Sequence, residues 1–359
     1  MTRGATIRDV AKRAGVSVST ASLALNGKPG VSAETRARVL RAALELDYHP
    51  HTAAKNLADG RTRTIGLIAP ISLEHLFSSA SFFMKLFRGL HHIAQRKGYV
   101  LSLYIAESDD EAALQIKSLV RSRAVDGLVI TNPTFTSPYL EEIRRYRVPF
   151  VVIGRPVGKA SFVDNDNQAV GWMATRHLIE HGHKRIAFIS GPDRFTFCQD
   201  RLLGYRKALE EAGVPYSGEL VWRSEIVEED ACRVVKENFP KIRFTALLAA
   251  TDVQAVGAIR ALKEMGIKVP RDISVVCVNE SELARHFMPS LTTVDLHERE
   301  LGRRAMELLI QMIEDGVVRE KGIYVEASLI IRESCGCNYG KGGGNEKEQG
   351  ASQKKSGKG

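Results

Sequence analysis

Residues 6–40, TIRDVAKRAGVSVSTASLALNGKPGVSAETRARVL, decide how this chain is read. Ile7, Val10, Ala11 and Ala14 recur at the i, i+3, i+4, i+7 spacing of one helical face. Gly15-Val16-Ser17 breaks that pattern, and Ala21, Ala24 and Leu25 form a second, narrower stripe. Pro29 and Gly30 punctuate, and Ser32 is placed to cap a third helix whose apolar set includes Val39, Leu40, Ala43 and Leu46. Helix, tight turn, helix is the spacing of a helix-turn-helix. The small Ala11 lets the helices approach, and Gly15 suits a left-handed turn backbone. On this reading the second helix exposes Val18, Ser19, Ser22 and Leu23 and turns Ala21 and Leu25 inward.

Charge follows the same division. Residues 1–63 carry 11 Lys and Arg against 5 Asp and Glu, a net +6, whereas residues 64–335 balance 35 basic against 35 acidic side chains. A neutral body behind a basic N-terminal module fits a nucleic-acid reader joined to something else. No apolar run reaches the ~18 residues of a membrane span, and the start has no signal-peptide pattern, so a cytoplasmic protein without membrane contact is expected. The 5 cysteines are scattered and odd in number, unlike a disulfide framework.

From Thr64 the texture becomes apolar strands alternating with amphipathic helices. Strands are expected at Thr64–Ala69, Val100–Ala106, Gly127–Thr131 and Phe150–Gly154. After a helix at Gln168–His181 follow Arg185–Ser190, Ala246–Ala250, Ile273–Asn279 and a final Gly322–Ile331. Near-continuous apolar strands separated by helices imply parallel sheets covered on both faces. The pattern runs twice, about 64–160 and 185–335, giving two doubly wound subdomains. The expected organisation is a headpiece at 1–49, a hinge helix and linker at 50–63, a two-subdomain effector-binding and dimerisation domain at 64–335, and a Gly/Lys/Ser-rich disordered tail at 336–359.

The 6–40 stretch closely resembles the lactose-repressor (LacI/GalR) family of bacterial transcription regulators, and GRTRTIGLIAP at 60–70 continues the match. The resemblance spans residues 6 to about 335. It implies the α/β body of periplasmic binding proteins behind an all-α headpiece, a homodimer on palindromic operator DNA, and no catalysis. Carried over by position, Val18, Ser19 and Leu23 would face base edges, and Thr6, Ser17, Thr20, Ser22, Asn26, Ser32 and Thr35 would contact phosphates. Leu23 departs from the arginine that many members carry; an aliphatic side chain can touch a thymine methyl but cannot bond guanine. The resemblance makes 51–60 the hinge helix, ordered only when two copies pair on DNA. Ala54, Lys55 and Leu57 belong to its DNA-binding set, with Leu57 wedged into the minor groove at the site's centre and Lys55 and Asn56 as groove or phosphate contacts.

In open α/β sheets, ligands bind beyond the carboxyl ends of the strands. Those ends here are Ile71-Ser72, Thr131-Asn132, Gly154-Arg155, Gly191-Pro192-Asp193, Thr251-Asp252 and Asn279-Glu280, a polar set suited to a neutral polyhydroxy ligand. In CQDRLLGY (198–205) the resemblance makes Arg201 the effector arginine, whose fork can grip two hydroxyls. VDNDN (163–167) matches the family's Asp-Asn pair, so Asp166 orients or caps a helix as much as it touches ligand. A lengthened loop after Pro70, carrying Phe77, Phe82 and Phe83, resembles the maltose-repressor branch, which implies maltose or another α-glucoside. Phe82 and Phe83 have an ordinary alternative as core of the first sensor helix. The expected effector set is Ser72, Phe82, Phe83, Arg155, Asp166, Arg201, Asp252 and Asn279.

Other readings rank lower. The body alone would fit a solute-binding transport receptor, but the basic headpiece argues against it. The helix at 301–307 departs from the pattern of regulators that take a phosphocarrier protein as corepressor. His177-Leu-Ile-Glu180-His181 reads H-x-x-E-H, a zinc-peptidase pattern, yet no third ligand is evident. Cys335-Gly-Cys337 is a single pair without a partner pair. No Walker A, G-x-S-x-G or dinucleotide fingerprint occurs, so neither a cofactor nor a metal is expected.

Overall fold

The computed structural model describes residues 5–48, 61–318 and 320–337. The chain divides into two compact units between Arg63 and Thr64.

The first unit holds α1 (Ile7–Ala14), α2 (Val18–Leu25) and α3 (Ala33–Glu45). Gly15 ends α1 at φ 64°, and the Ser17 hydroxyl accepts from the Thr20 amide to start α2. Ser32 caps α3 in the same way through Thr35. The core is built of small side chains, Val10, Ala11, Ala14, Ala21, Ala24, Val39, Ala42 and Ala43. Alanines let three short helices pack closely where longer side chains would hold them apart. Leu40, expected inside, is exposed, and Ala42 takes the inner position.

The second unit contains two six-stranded sheets. The first has the order β11-β5-β4-β3-β1-β2 and the second β12-β10-β9-β8-β6-β7. The first sheet comprises β1 (Thr64–Pro70), β2 (Val100–Ala106), β3 (Gly127–Thr131), β4 (Phe150–Ile153), β5 (Phe162–Asp164) and β11 (Gly322–Tyr324). The second comprises β6 (Ile186–Ser190), β7 (Val221–Arg223), β8 (Ala246–Ala249), β9 (Ser274–Val278), β10 (Thr292–Asp295) and β12 (Ser328–Ile330). Strand neighbours are parallel except β10 and β12. Alternate residues feed different cores: Ile65, Leu67, Val129 and Val151 join one, and Ile68, Leu128, Ile130 and Val152 the other. The second sheet repeats this, with Ala187, Leu247 and Val275 on one face and Phe188, Leu248 and Val276 on the other. Burial on both faces is why these strands read as unbroken apolar runs.

Two departures from expectation share one cause, repeated crossing of the chain between subdomains, and a third lies after Pro70. The expected strand 322–331 is two short strands in different sheets. The helix Glu298–Asp315 lies in the second sequence half, yet Leu301, Ala305 and Leu309 join the core of the first sheet. The stretch after Pro70 is not a loop: α4 (Leu73–Ser78) and α5 (Ala80–Arg96) fill it. The remaining sensor helices used below are α8 (Asn167–Glu180), α9 (Thr196–Glu211), α11 (Asp252–Glu264) and α13 (Glu298–Asp315). The expected hinge at 51–60, with Ala54, Lys55 and Leu57, and the expected tail beyond Cys337 lie outside the described residues. Among the described residues, no helix is long and apolar enough to cross a membrane.

Candidate functional site

In the headpiece, Val18 and Ser19 stand exposed at the start of α2, while Ser22 and Leu23 are half-buried one turn on. The Ser17 and Thr20 hydroxyls lie 2.8 Å apart, and Ser32 Oγ donates to Thr35 Oγ1 at 3.0 Å. Each pair sits at a helix N-terminus, where free backbone N–H groups favour an anion. The Thr6 hydroxyl donates to the Asp9 carboxylate at 2.6 Å and keeps acceptor capacity. Asn26 donates back to the Ser22 carbonyl, closing α2.

In the sensor, strand ends from both sheets converge on one cavity of about 830 Å³ of empty space, its open mouth included. Thr131, Asn132, Gly154, Asp164 and Asn165 line it from the first sheet, and Thr251 and Asn279 from the second. Helix α5 contributes Phe82 and Phe83, and the opposite wall carries Phe195, Phe197 and Arg201. Phe82 and Phe83 meet edge to face, 5.6 Å between centroids. Phe82 also packs against two cores, so it is wall and core at once.

Arg201 is 4% exposed. Its Nε donates to Asn167 Oδ1 at 3.0 Å and its Nη1 to the Ala250 carbonyl at 2.5 Å. The guanidinium lies 4.9 Å from the centroid of Phe197, one helical turn away. Burial lowers its pKa to about 10. Asp164 accepts from the Arg155 and Asn165 amides, each at 2.8 Å, and from the Asn167 side chain. Burial nonetheless pushes Asp164 up to about 7. Asn132 and Asn279 hold positive φ, 51° and 82°, a conformation that costs asparagine less than most residues. The Thr131 hydroxyl and Asn132 Nδ2 are buried without a protein partner. Such orphans are expensive unless something else bonds them.

Of the expected effector residues, Phe82, Phe83, Arg201 and Asn279 line the cavity and the other four do not. Ser72 caps α4 by accepting from His75. Asp166 is exposed and caps α8 through Ala169. Asp252 is buried at the start of α11 and does not reach the cavity; burial raises its pKa. Arg155 makes a two-pronged ion pair with Asp200 on α9, at 2.7 and 2.9 Å, across the two subdomains. The Phe135 amide bonding the Arg194 carbonyl, His75 facing Glu225 at 3.4 Å, and Lys85 bonding the Glu280 carbonyl also bridge the subdomains. Phe77 points to solvent. Sequence reasoning missed Phe195 and Phe197; the four-residue spacing from Phe197 to Arg201 on one helix was the available signal. Asp164, Asn165 and Asn167 line the cavity where Asp166 was expected, because Asp166 turns outward to cap α8.

Two family profiles match the chain: bacterial regulatory proteins of the lacI family over residues 6–51 and a periplasmic binding protein-like domain over 175–335. The HTH-type transcriptional repressor PurR of Haemophilus influenzae (strain PittEE) is 33% identical over 340 residues, covering 92% of this chain and 98% of that protein. PurR of Escherichia coli O139:H28 is 35% identical over 335 residues, covering 92% and 96%. The lac repressor dimer bound to operator and the anti-inducer ONPF superposes with a TM-score of 0.82 at 27% identity, covering 93% and 99%. The transcriptional regulator CelR in its cellobiose complex gives 0.72 at 31%, covering 92% and 99%. These relatives give the expected maltose branch no support. They agree with the helix-turn-helix headpiece and the two-sheet sensor in one respect: the chain belongs to the LacI family and is a DNA-binding transcriptional repressor, not an enzyme.

Proposed function

We propose that this repressor acts as a homodimer whose operator affinity is set by a small sugar in the sensor cavity, an α-glucoside such as maltose. The carrying observation is the pairing of buried, unpartnered polar atoms on Thr131 and Asn132 with phenyl walls and the Arg201 fork. Hydroxyls would complete the polar set, while ring faces would pack on the phenyl groups. A relative of the same fold, solved as a cellobiose complex, supports a disaccharide. On DNA, Val18, Ser19 and Leu23 read bases; Thr6, Ser17, Thr20, Ser22, Asn26, Ser32 and Thr35 hold phosphates; Ala54, Lys55 and Leu57 act at the minor groove. Sugar contacts both subdomains, so it favours one of their relative arrangements, and the hinge segments carry that preference to the headpieces. Operator affinity then falls.

A planar heterocycle such as a purine base is the second reading, favoured by Phe195 and Phe197, which lie stacked within 17° of parallel. Thermal-shift screening of glucose, maltose, maltotriose, sucrose, ribose and purines separates the two. Stabilisation by maltose above glucose supports the first; stabilisation by a purine with no response to maltose replaces it with the second.

A further inference from the structure

The H-x-x-E-H segment lacked a third ligand in the sequence, and the fold supplies one. His177 and His181, at i and i+4, share a face at the C-terminal end of α8. Cys337, 156 positions beyond His181 in the sequence, comes to the same place: its Sγ lies 3.3 Å from His177 Nε2. One ligand atom from each of His177, His181 and Cys337 falls within 4.8 Å of the others. No other such group is present among the described residues. Tetrahedral zinc, with Zn–S about 2.3 Å and Zn–N about 2.0–2.1 Å, sets its nitrogen and sulfur ligands about 3.6 Å apart. The observed separation is close to that.

The surroundings are prepared for a metal in three further ways. His181 Nδ1 lies 2.7 Å from the His177 carbonyl. A carbonyl only accepts, so Nδ1 carries the proton and Nε2 keeps its lone pair, the tautomer a metal requires. His177 is 4% exposed, which keeps its ring nitrogen out of bulk solvent. Gly336, at φ 76°, turns the chain so that the Cys337 thiol donates to the Cys335 carbonyl at 3.7 Å and faces His177, while the Cys335 thiol turns away to the Arg332 carbonyl. Glu180 takes no part: it is exposed and bonded to Arg176 at 2.8 Å. The peptidase reading therefore fails for want of a base, and the ligand set that remains is two histidines and one thiol.

We propose that His177, His181 and Cys337 bind one borderline-soft divalent cation of the zinc type, tying the end of the last sensor segment to α8. Binding releases the Cys337 thiol proton to solvent and leaves a fourth position for water, with Glu180 held on Arg176 so that no base faces it and the site is structural rather than catalytic. Because the ligands come from elements 156 or more positions apart, the metal stabilises the folded sensor over the unfolded chain.

The test uses the full chain, kept reduced and stripped of metal by chelation. Titration with Co²⁺ alone should give the visible d–d bands of tetrahedral cobalt and a thiolate charge-transfer band, saturating at one equivalent, with Zn²⁺ displacing it. Zn²⁺ should also raise the melting temperature. Cys337→Ser and, separately, His181→Asn, an exposed position, should weaken binding at least tenfold and remove the melting shift. His286→Ala, remote and exposed, should bind as the parent does. Absence of the tetrahedral bands, or their persistence in both ligand variants, overturns the proposal.

Discussion

Thr131 offers the cleanest residue-scale test of the cavity. Its hydroxyl is buried and unpartnered, so Thr131→Val removes no protein hydrogen bond and keeps the shape. Stability should hold or rise slightly, while effector affinity falls by roughly 1 kcal/mol, about fivefold. Calorimetry with wild-type affinity would move the ligand away from that wall. Asp164 makes a pH prediction. Its folded pKa of about 7 lies above its ordinary 3.8, so between those values the folded state holds a proton that the unfolded chain has released. That contribution is complete at acid pH and is lost as pH rises toward 7. Asp164→Asn should flatten the fall in sensor stability between about pH 4 and 7, read by urea unfolding; a slope equal to the parent's would mean that Asp164 ionises normally. At this scale the sequence was partly legible. Arg201 and Asn279 came from a motif and a strand end. Asp164 and the two phenylalanines beside Arg201 did not, because which residues of a turn face inward is settled by the element packed above it.

The elements that hold the cavity are set by close helix contacts. A Cβ on Gly171 of α8 would lie 2.2 Å from the Arg201 carbonyl oxygen on α9. Gly171→Ala should cost about 1–3 kcal/mol and weaken effector binding as well, because separating the helices displaces Arg201; a lower melting temperature with unchanged ligand affinity would contradict that coupling. For the hinge, Leu57→Ala should weaken operator binding and reduce DNA bending while leaving sugar binding and dimerisation intact. Unchanged bending would make 51–60 a plain linker. The buried strands β1, β3, β4, β6, β8 and β9 were legible to within a residue or so, since continuous apolar runs admit few boundaries, but β10, buried as well, was not read. The three-residue strands β5, β7, β11 and β12 were not separately legible, being too short to show a period. Nor did sequence order reveal α13 as part of the first subdomain, because its apolar stripe does not say which sheet it covers.

For the whole molecule, charge divides where the two compact units do: residues 1–63 are basic and residues 64–335 are balanced. Phosphate neutralisation makes operator binding fall with salt, whereas the cavity buries Arg201 together with the Asp164 carboxyl. The central claim is that occupancy of this cavity controls DNA binding. The direct measurement is fluorescence anisotropy of the full chain on a labelled operator, selected from genomic fragments, at fixed salt with and without the stabilising ligand, for the parent and for Arg201→Ala. Losing a charge-assisted bond of roughly 1.5–3 kcal/mol should shift the ligand response of Arg201→Ala at least tenfold to higher concentration while its ligand-free operator affinity stays at the parent's. The account predicts that ligand weakens operator binding of the parent tenfold or more. Operator affinity that no cavity ligand changes, or a response undiminished in Arg201→Ala, would contradict it.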